Sequence, residues 1–154
     1  KEYMDNVYEK VNRGEGLFIH GGVGTGKTTW AYKIARKYLA VLAYNKAYES
    51  KPLYFANVPE LMNNLKEGFT DSQYMRELNY RIENSDLVIF DDIGAENSTE
   101  WAKEQLYHYI NYRYSNGLAT MFTSNIPPNS LDSRVADRIK GMTTIVEIKG
   151  QSRR

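Results

Sequence analysis

The chain contains no cysteine. Disulfide staples and cysteine-ligated zinc are thereby excluded, and the composition suits a cytoplasmic protein. Long hydrophobic runs are missing too. The longest apolar stretches fall far short of the ~20 residues that span a bilayer, so no membrane partner is expected. Residues 1–10 mix acids with bases and have no apolar core, so they do not read as a secretory leader. Charge of one sign is also lacking: 20 Lys and Arg face 19 Asp and Glu, a formal net of +1. Bulk attraction for nucleic acid is ruled out, and any such binding must come from a local patch. No internal repeat or low-complexity linker is visible.

What is present suits one globular domain. The 154 residues are 42% hydrophobic and 25% charged, enough to bury a core. Tyrosine is abundant, with 13 residues, which are expected at core edges and on half-buried helix faces. Helical spacing of Met4, Val7, Tyr8 and Val11 predicts a helix over 2–11, stopped by Gly14 and Gly16. Leu17-Phe18-Ile19 reads as a buried strand. A long helix is expected from Lys27 to Leu42, with Trp30, Ile34, Tyr38 and Val41 near helical spacing. Further strands are read at 53–56, 87–90, 118–123 and 144–148. Helices are read at 58–65, 74–82, 99–114 and 131–139, with breaks at Gly68 and Asn116-Gly117 and a block at Pro127-Pro128. Continuous apolar strands need cover on both faces. The expected fold is therefore a three-layer α/β/α sandwich about a mainly parallel, five-stranded sheet, built with right-handed crossovers.

Residues 21–28, Gly-Gly-Val-Gly-Thr-Gly-Lys-Thr, match the phosphate-loop pattern G-x-x-x-x-G-K-[ST]. Glycines allow a tight turn in which backbone N–H groups converge on phosphate oxygens. The loop enters a helix N-terminus, whose free N–H groups and dipole favour an anion. Gly22, Val23, Gly24, Thr25, Gly26, Lys27, Thr28 and Thr29 are the expected nucleotide contacts. Lys27 would reach the β- and γ-phosphates, and the Thr28 hydroxyl would ligate magnesium. Leu87-Val88-Ile89-Phe90-Asp91-Asp92 is the second part. A carboxylate at the carboxyl end of a neighbouring strand can hold the metal, and Asp91 is assigned to it. Asp92 stands where a water-activating carboxylate belongs, or is a helix-capping or solvated acid.

The combination is narrower than the phosphate loop alone. Asp91-Asp92-Ile93-Gly94, Thr123-Ser124-Asn125 and Ser133-Arg134-Val135-Ala136-Asp137-Arg138 follow in order, with Gly150-Gln151-Ser152-Arg153-Arg154 closing the chain. Together they resemble the AAA+ ATPases of the DnaC/DnaI replicative helicase loader family, and much of the pattern is shared with IstB-type transposition helper ATPases. The resemblance implies an ATPase that yields ADP and phosphate with Mg2+, binds single-stranded DNA and delivers a hexameric replicative helicase. It implies that Asn125 orients the attacking water, with Ser124 as the alternative one register away. It implies that Arg134 is an arginine finger acting in trans, so the chain self-associates; Arg138 pairs locally or helps there. It implies DNA contacts at Lys66, Phe69, Thr99 and Trp101, a lysine for phosphate and aromatics for bases. Met4 to Tyr8 and the closing tail are the expected adenine walls.

Two departures qualify the likeness. Asp92 replaces the family's frequent Glu, one methylene longer, which bears on turnover more than on binding. No helical lid follows the fifth strand, as in the loaders. Lys rather than Met comes first, and nothing before Gly16 is long enough for the loaders' helicase-gripping segment. The expected unit is thus the ATPase domain, 1–154, at the C-terminal end of a longer loader, or a minimal variant. The alternatives are the transposition helper, a nucleotide-gated DNA-binding module with weak hydrolysis, and a small-molecule P-loop kinase. The last leaves the Asp-Asp-Ile-Gly and Ser-Arg-Val segments unexplained.

Overall fold

Strands β1 (Gly16–His20), β3 (Leu87–Asp91) and β4 (Thr120–Ser124) are apolar on both faces, and β3 and β4 are buried along their whole length. Such strands belong in the middle of a sheet covered twice. The computed structural model describes residues 1–46, 51–67, 71–95 and 97–150. It places β2 (Leu53–Asn57) and β5 (Thr143–Glu147) at the edges, in the order β2-β3-β4-β1-β5, with every pair parallel. The expectation that Asp91 ends a strand next to β1 is corrected here: β4 lies between them.

Side chains alternate across the sheet, so each strand feeds two cores. Leu17, Ile19, Ile89 and Met121 meet α1 (Glu2–Asp5), α2 (Val7–Asn12) and α3 (Lys27–Tyr44) through Tyr3, Val7, Val11, Ile34, Tyr38 and Leu42. Phe18, Val88, Phe90 and Phe122 meet α4 (Val58–Glu67), α5 (Ser72–Asn84), α6 (Glu100–Ser115) and α7 (Ser133–Met142) through Leu61, Leu65, Ile82, Leu106, Ile110 and Ile139. No helix follows β5 among the described residues, and none there is long and apolar enough to cross a membrane.

Three local differences from the sequence reading have physical causes. The first helix is two pieces, because Asn6 leaves the helical region at φ −116°, ψ 28°. The buried stripe of α3 runs through Ala31, Ile34, Ala35, Tyr38 and Leu42, which turns Trp30 outward. Pro127-Pro128 starts a 3-10 turn at Pro128–Ser130, since proline is tolerated at a first helical position. The break between α4 and α5 includes Gly68, outside the described residues.

Helix starts are not treated alike. Asp71 caps α5, Thr99 caps α6 and Asp132 caps α7 through side-chain oxygens. At α3 the cap is Gly26, in the left-handed region at φ 87°, with no side-chain acceptor. Its first N–H groups therefore remain free for an external anion.

One cation is sealed inside the second core. Arg113 is fully buried, and among the described residues no carboxylate accepts a hydrogen bond from it. Its guanidinium donates to the carbonyls of Ile82, Ser85, Asp86 and Ala119 and to Thr120 Oγ1 at 2.7–3.3 Å. Burial pulls its pKa down to about 10.

Candidate nucleotide-binding site

The phosphate loop leaves the end of β1 beside β5. Gly21, at φ 156°, passes so close that a Cβ would stand 2.4 Å from the Ile148 carbonyl. Only glycine fits there. The loop then folds over Lys27, whose ammonium donates to Gly21 O at 2.9 Å, Gly22 O at 2.8 Å and Thr25 Oγ1 at 3.4 Å. Lys27 is 7% exposed. Burial lowers its pKa, and the nearby charges of Asp92 and Asp91 act in the opposite direction.

Thr28 follows on the first turn of α3. Its hydroxyl lies 3.0 Å from both carboxylate oxygens of Asp91. The two residues, 63 positions apart, form one oxygen donor set of the kind that hard cations take. Asp91 is buried and receives a second hydrogen bond, from Thr123 Oγ1 at 2.6 Å. That hydroxyl also accepts from Asp92 N at 2.9 Å. Asp92 sits at φ 63°, a left-handed conformation that Asp tolerates better than most residues. Asn125 Nδ2 approaches its carboxylate at 3.4 Å.

An open cavity of about 550 Å³ lies here, lined by Val23 to Trp30 and Lys33 of the loop and helix with Asp92, Thr123 and Asn125. A second cavity of about 480 Å³ adjoins it at Trp30 and is walled by Met4, Leu17, Ile19, Ile34, Val146 and Ile148. One cavity is polar and rich in N–H groups; the other is mainly apolar, with Lys1, Glu2, Lys10, Glu147 and Lys149 also in its lining. Side by side they can take a polyphosphate and a flat base.

Lys27, Thr28, Thr29, Asp91, Asp92 and Asn125 thus come together. Ser124 does not join them: it is buried, donates to Ile93 O at 2.6 Å and accepts from Ile126 N, so the alternative register is corrected. Arg134 is elsewhere. It forks onto Glu104 at 2.9 and 3.3 Å and lies 4.3 Å over the Tyr107 ring, beside a different cavity of about 310 Å³. Arg138 binds Asn111 at 2.8 Å and stands 3.6 Å from Asp137. Lys66 is exposed at the end of α4, Thr99 caps α6 through Ala102 N, and Trp101 packs half-buried on the core. Phe69 and the tail 151–154 lie outside the described residues. Met4 reaches the apolar cavity, whereas Tyr8 packs on the core.

Sequence reasoning missed two residues. Thr123 stands in its motif without a role, although a hydroxyl near the end of a buried strand is itself a signal. Helical spacing groups Trp30 with Ile34, Tyr38 and Val41 and gives it no role at the site, although its place three after Lys27 is the clue.

A glycine loop between β1 and α3, an acid ending β3 and an intervening β4 define a P-loop nucleotide-binding core of the AAA+ type. Comparison with known proteins narrows this. The chain belongs to the family described as IstB-like ATP binding protein, which matches residues 7–154. The replicative helicase loader DnaI of Bacillus subtilis (strain 168) is 29% identical over 96% of this chain. A chromosomal replication initiator protein DnaA from Thermomicrobium roseum is 31% identical over 88% of it. The chain spans 50% of that loader's length and 27% of that initiator's. A crystal structure of DnaI superposes with a TM-score of 0.77 at 27% identity, covering 99% of this chain and 81% of that one. The DnaC helicase loader gives 0.76 at 24%, covering 96% and 85%, a likeness of fold.

Proposed function

We propose that this chain is the ATPase domain of a cytoplasmic, ATP-dependent helicase loader that binds single-stranded DNA and delivers a hexameric replicative helicase. The observation that carries the ATPase part is the meeting of Thr28 with Asp91 at 3.0 Å beneath an uncapped helix start. Phosphates would lie on the loop N–H groups of Gly22 to Thr29, with Lys27 exchanging its carbonyl acceptors for phosphate oxygens. Magnesium fits Thr28 and Asp91, both oxygen donors, and supplies charge neutralisation on the phosphates when bound. Thr123 fixes Asp91. Asp92 accepts a proton from the attacking water, and Asn125 orients that water. The left-handed backbone of Asp92 aims its carboxylate at Asn125.

Arg134 lies outside the lining of its own phosphate cavity, and its half-exposed guanidinium would exchange Glu104 for the phosphates of a neighbour's. In that role it stabilises charge on the transferring phosphoryl. Lys66, Phe69, Thr99 and Trp101 belong to the DNA contacts of this reading, and the likeness to DnaI supports it. The family match gives weight to a second reading, a transposition helper ATPase with the same site.

Two variants test the site. Arg134→Ala should keep ATP affinity and lose turnover by at least about 1000-fold, the usual worth of a finger. Mixing it with Lys27→Ala, which cannot bind ATP but still carries Arg134, should restore turnover; no restoration means no action in trans. For the loader role, the host's hexameric helicase should be captured by the full-length protein in an ATP-dependent way. Capture of a transposase instead would favour the second reading.

A further inference from the structure

The exposed face of α3 does not resemble the other helix surfaces. Residues 27–44 carry Lys27, Lys33, Arg36 and Lys37 and no acid. Some cations elsewhere are paired along their own helix, as in Glu77–Arg81 on α5 and Glu100–Lys103 on α6. Lys33, Arg36 and Lys37 are exposed, and none forms an ion pair among the described residues. In a chain of net charge +1, this is the local patch that bulk composition does not provide.

Large aromatics share the face. Tyr32 is 53% exposed and Tyr44 88%, against the expectation that tyrosines sit half-buried. Tyr32 already stacks on Phe55 of the edge strand β2, with ring centroids 4.5 Å apart and planes 5° from parallel. One face of that stack is left for a further flat ring. Lys33 lies 5.0 Å over Trp30, and across the β2 edge Lys51 lies 3.6 Å over Tyr80, itself 48% exposed. Tyr32 and Arg36 are four residues apart, as are Lys33 and Lys37, so an aromatic–cation stripe and a cation stripe run side by side along the helix. From Trp30 to Tyr44 the face extends about 20 Å.

We infer that the α3 face and the adjoining β2 edge form a binding surface for single-stranded nucleic acid, separate from Lys66, Thr99 and Trp101. Phosphates take Arg36, Lys37 and Lys33, and a base stacks on the Tyr32–Phe55 pair. The surface begins at Trp30 and Lys33, which also line the nucleotide cavity, so strand and nucleotide meet along one helix. The inference rests on the proposed DNA-binding role of this domain.

The test is anisotropy of a labelled oligothymidine at several salt concentrations with the full chain. Tyr32→Ala with Arg36→Ala and Lys37→Ala should weaken binding at least about tenfold and flatten the salt slope by about 1.4, two phosphate contacts at roughly 0.7 each. ATP affinity should stay unchanged, because none of the three lines the nucleotide cavity. Unchanged DNA affinity overturns the inference. So does a variant that loses self-association in sedimentation while each protomer keeps its DNA affinity, since the face is then a subunit interface. If Lys66→Ala with Trp101→Ala removes all DNA binding and the α3 variant none, this surface is refuted and the loader reading stands. Wild-type protein with no affinity for the strand refutes both.

Discussion

Two buried cations, Lys27 and Arg113, are solved by the same chemistry and serve opposite ends. Each donates chiefly to backbone carbonyls rather than to a carboxylate. Arg113 takes its acceptors from the end of α5, the turn after it and the entry to β4, and is fully buried. Lys27 takes its acceptors from a glycine loop, beside open space and within the field of Asp91 and Asp92. A buried charge is structural when its partners cannot leave. It is available for ligand when its partners are a loop that can trade a carbonyl for a phosphate oxygen.

The comparison can be broken most strongly at Arg113. Arg113→Met should cost about 3 kcal/mol or more, because several buried carbonyls lose their donor. Thermal unfolding should fall by roughly 6–12 °C, and the folded fraction should still bind ATP. A loss below about 1 kcal/mol would mean those carbonyls find other donors. Lys27→Ala should act the other way round. ATP affinity in titration calorimetry should fall at least about 100-fold, near 2.7 kcal/mol, with stability held within about 1 kcal/mol. A large drop in melting temperature without nucleotide would make Lys27 a second staple.

Two threonines on β4 sharpen the contrast. Thr123 serves Asp91 and Asp92, and Thr120, on the opposite face, serves Arg113 Nε at 2.9 Å. Thr123→Val should lower steady-state turnover about tenfold, the usual cost of losing a metal ligand's support, with little change in ATP affinity. Thr120→Val should cost about 1 kcal/mol in denaturant unfolding and leave turnover alone. Exchanged outcomes would show that the two faces of β4 are not divided between site and core in this way.

The phosphate loop was legible because its chemistry is local: eight consecutive residues must supply turn, amides, ammonium and hydroxyl. The strands were legible from unbroken apolar runs, and Thr99 to Tyr114 from a helix ended by Asn116-Gly117. Trp30 was misread because spacing alone does not say which of two adjacent stripes, through Ala31 or through Trp30, meets the sheet. Thr123 went unassigned because its partners are 31 and 32 residues away, just after and at the end of β3. Arg113 gave no signal at all, since its acceptors are scattered over residues 82, 85, 86, 119 and 120.

By itself the sequence determined the parallel α/β class, the anion-binding loop and the acid-tipped strand, because each depends on neighbours along the chain. Tertiary structure decided the strand order, which inserts β4 between β1 and β3 and so delivers Thr123 and Asn125 to the acids. It also decided that Arg134 faces Glu104 rather than its own phosphate cavity, and that Lys33, Arg36 and Lys37 on α3 stay exposed and form no ion pair among the described residues. Those outcomes depend on which faces pack against one another, and the energy that selects them comes from contacts between residues far apart in the chain.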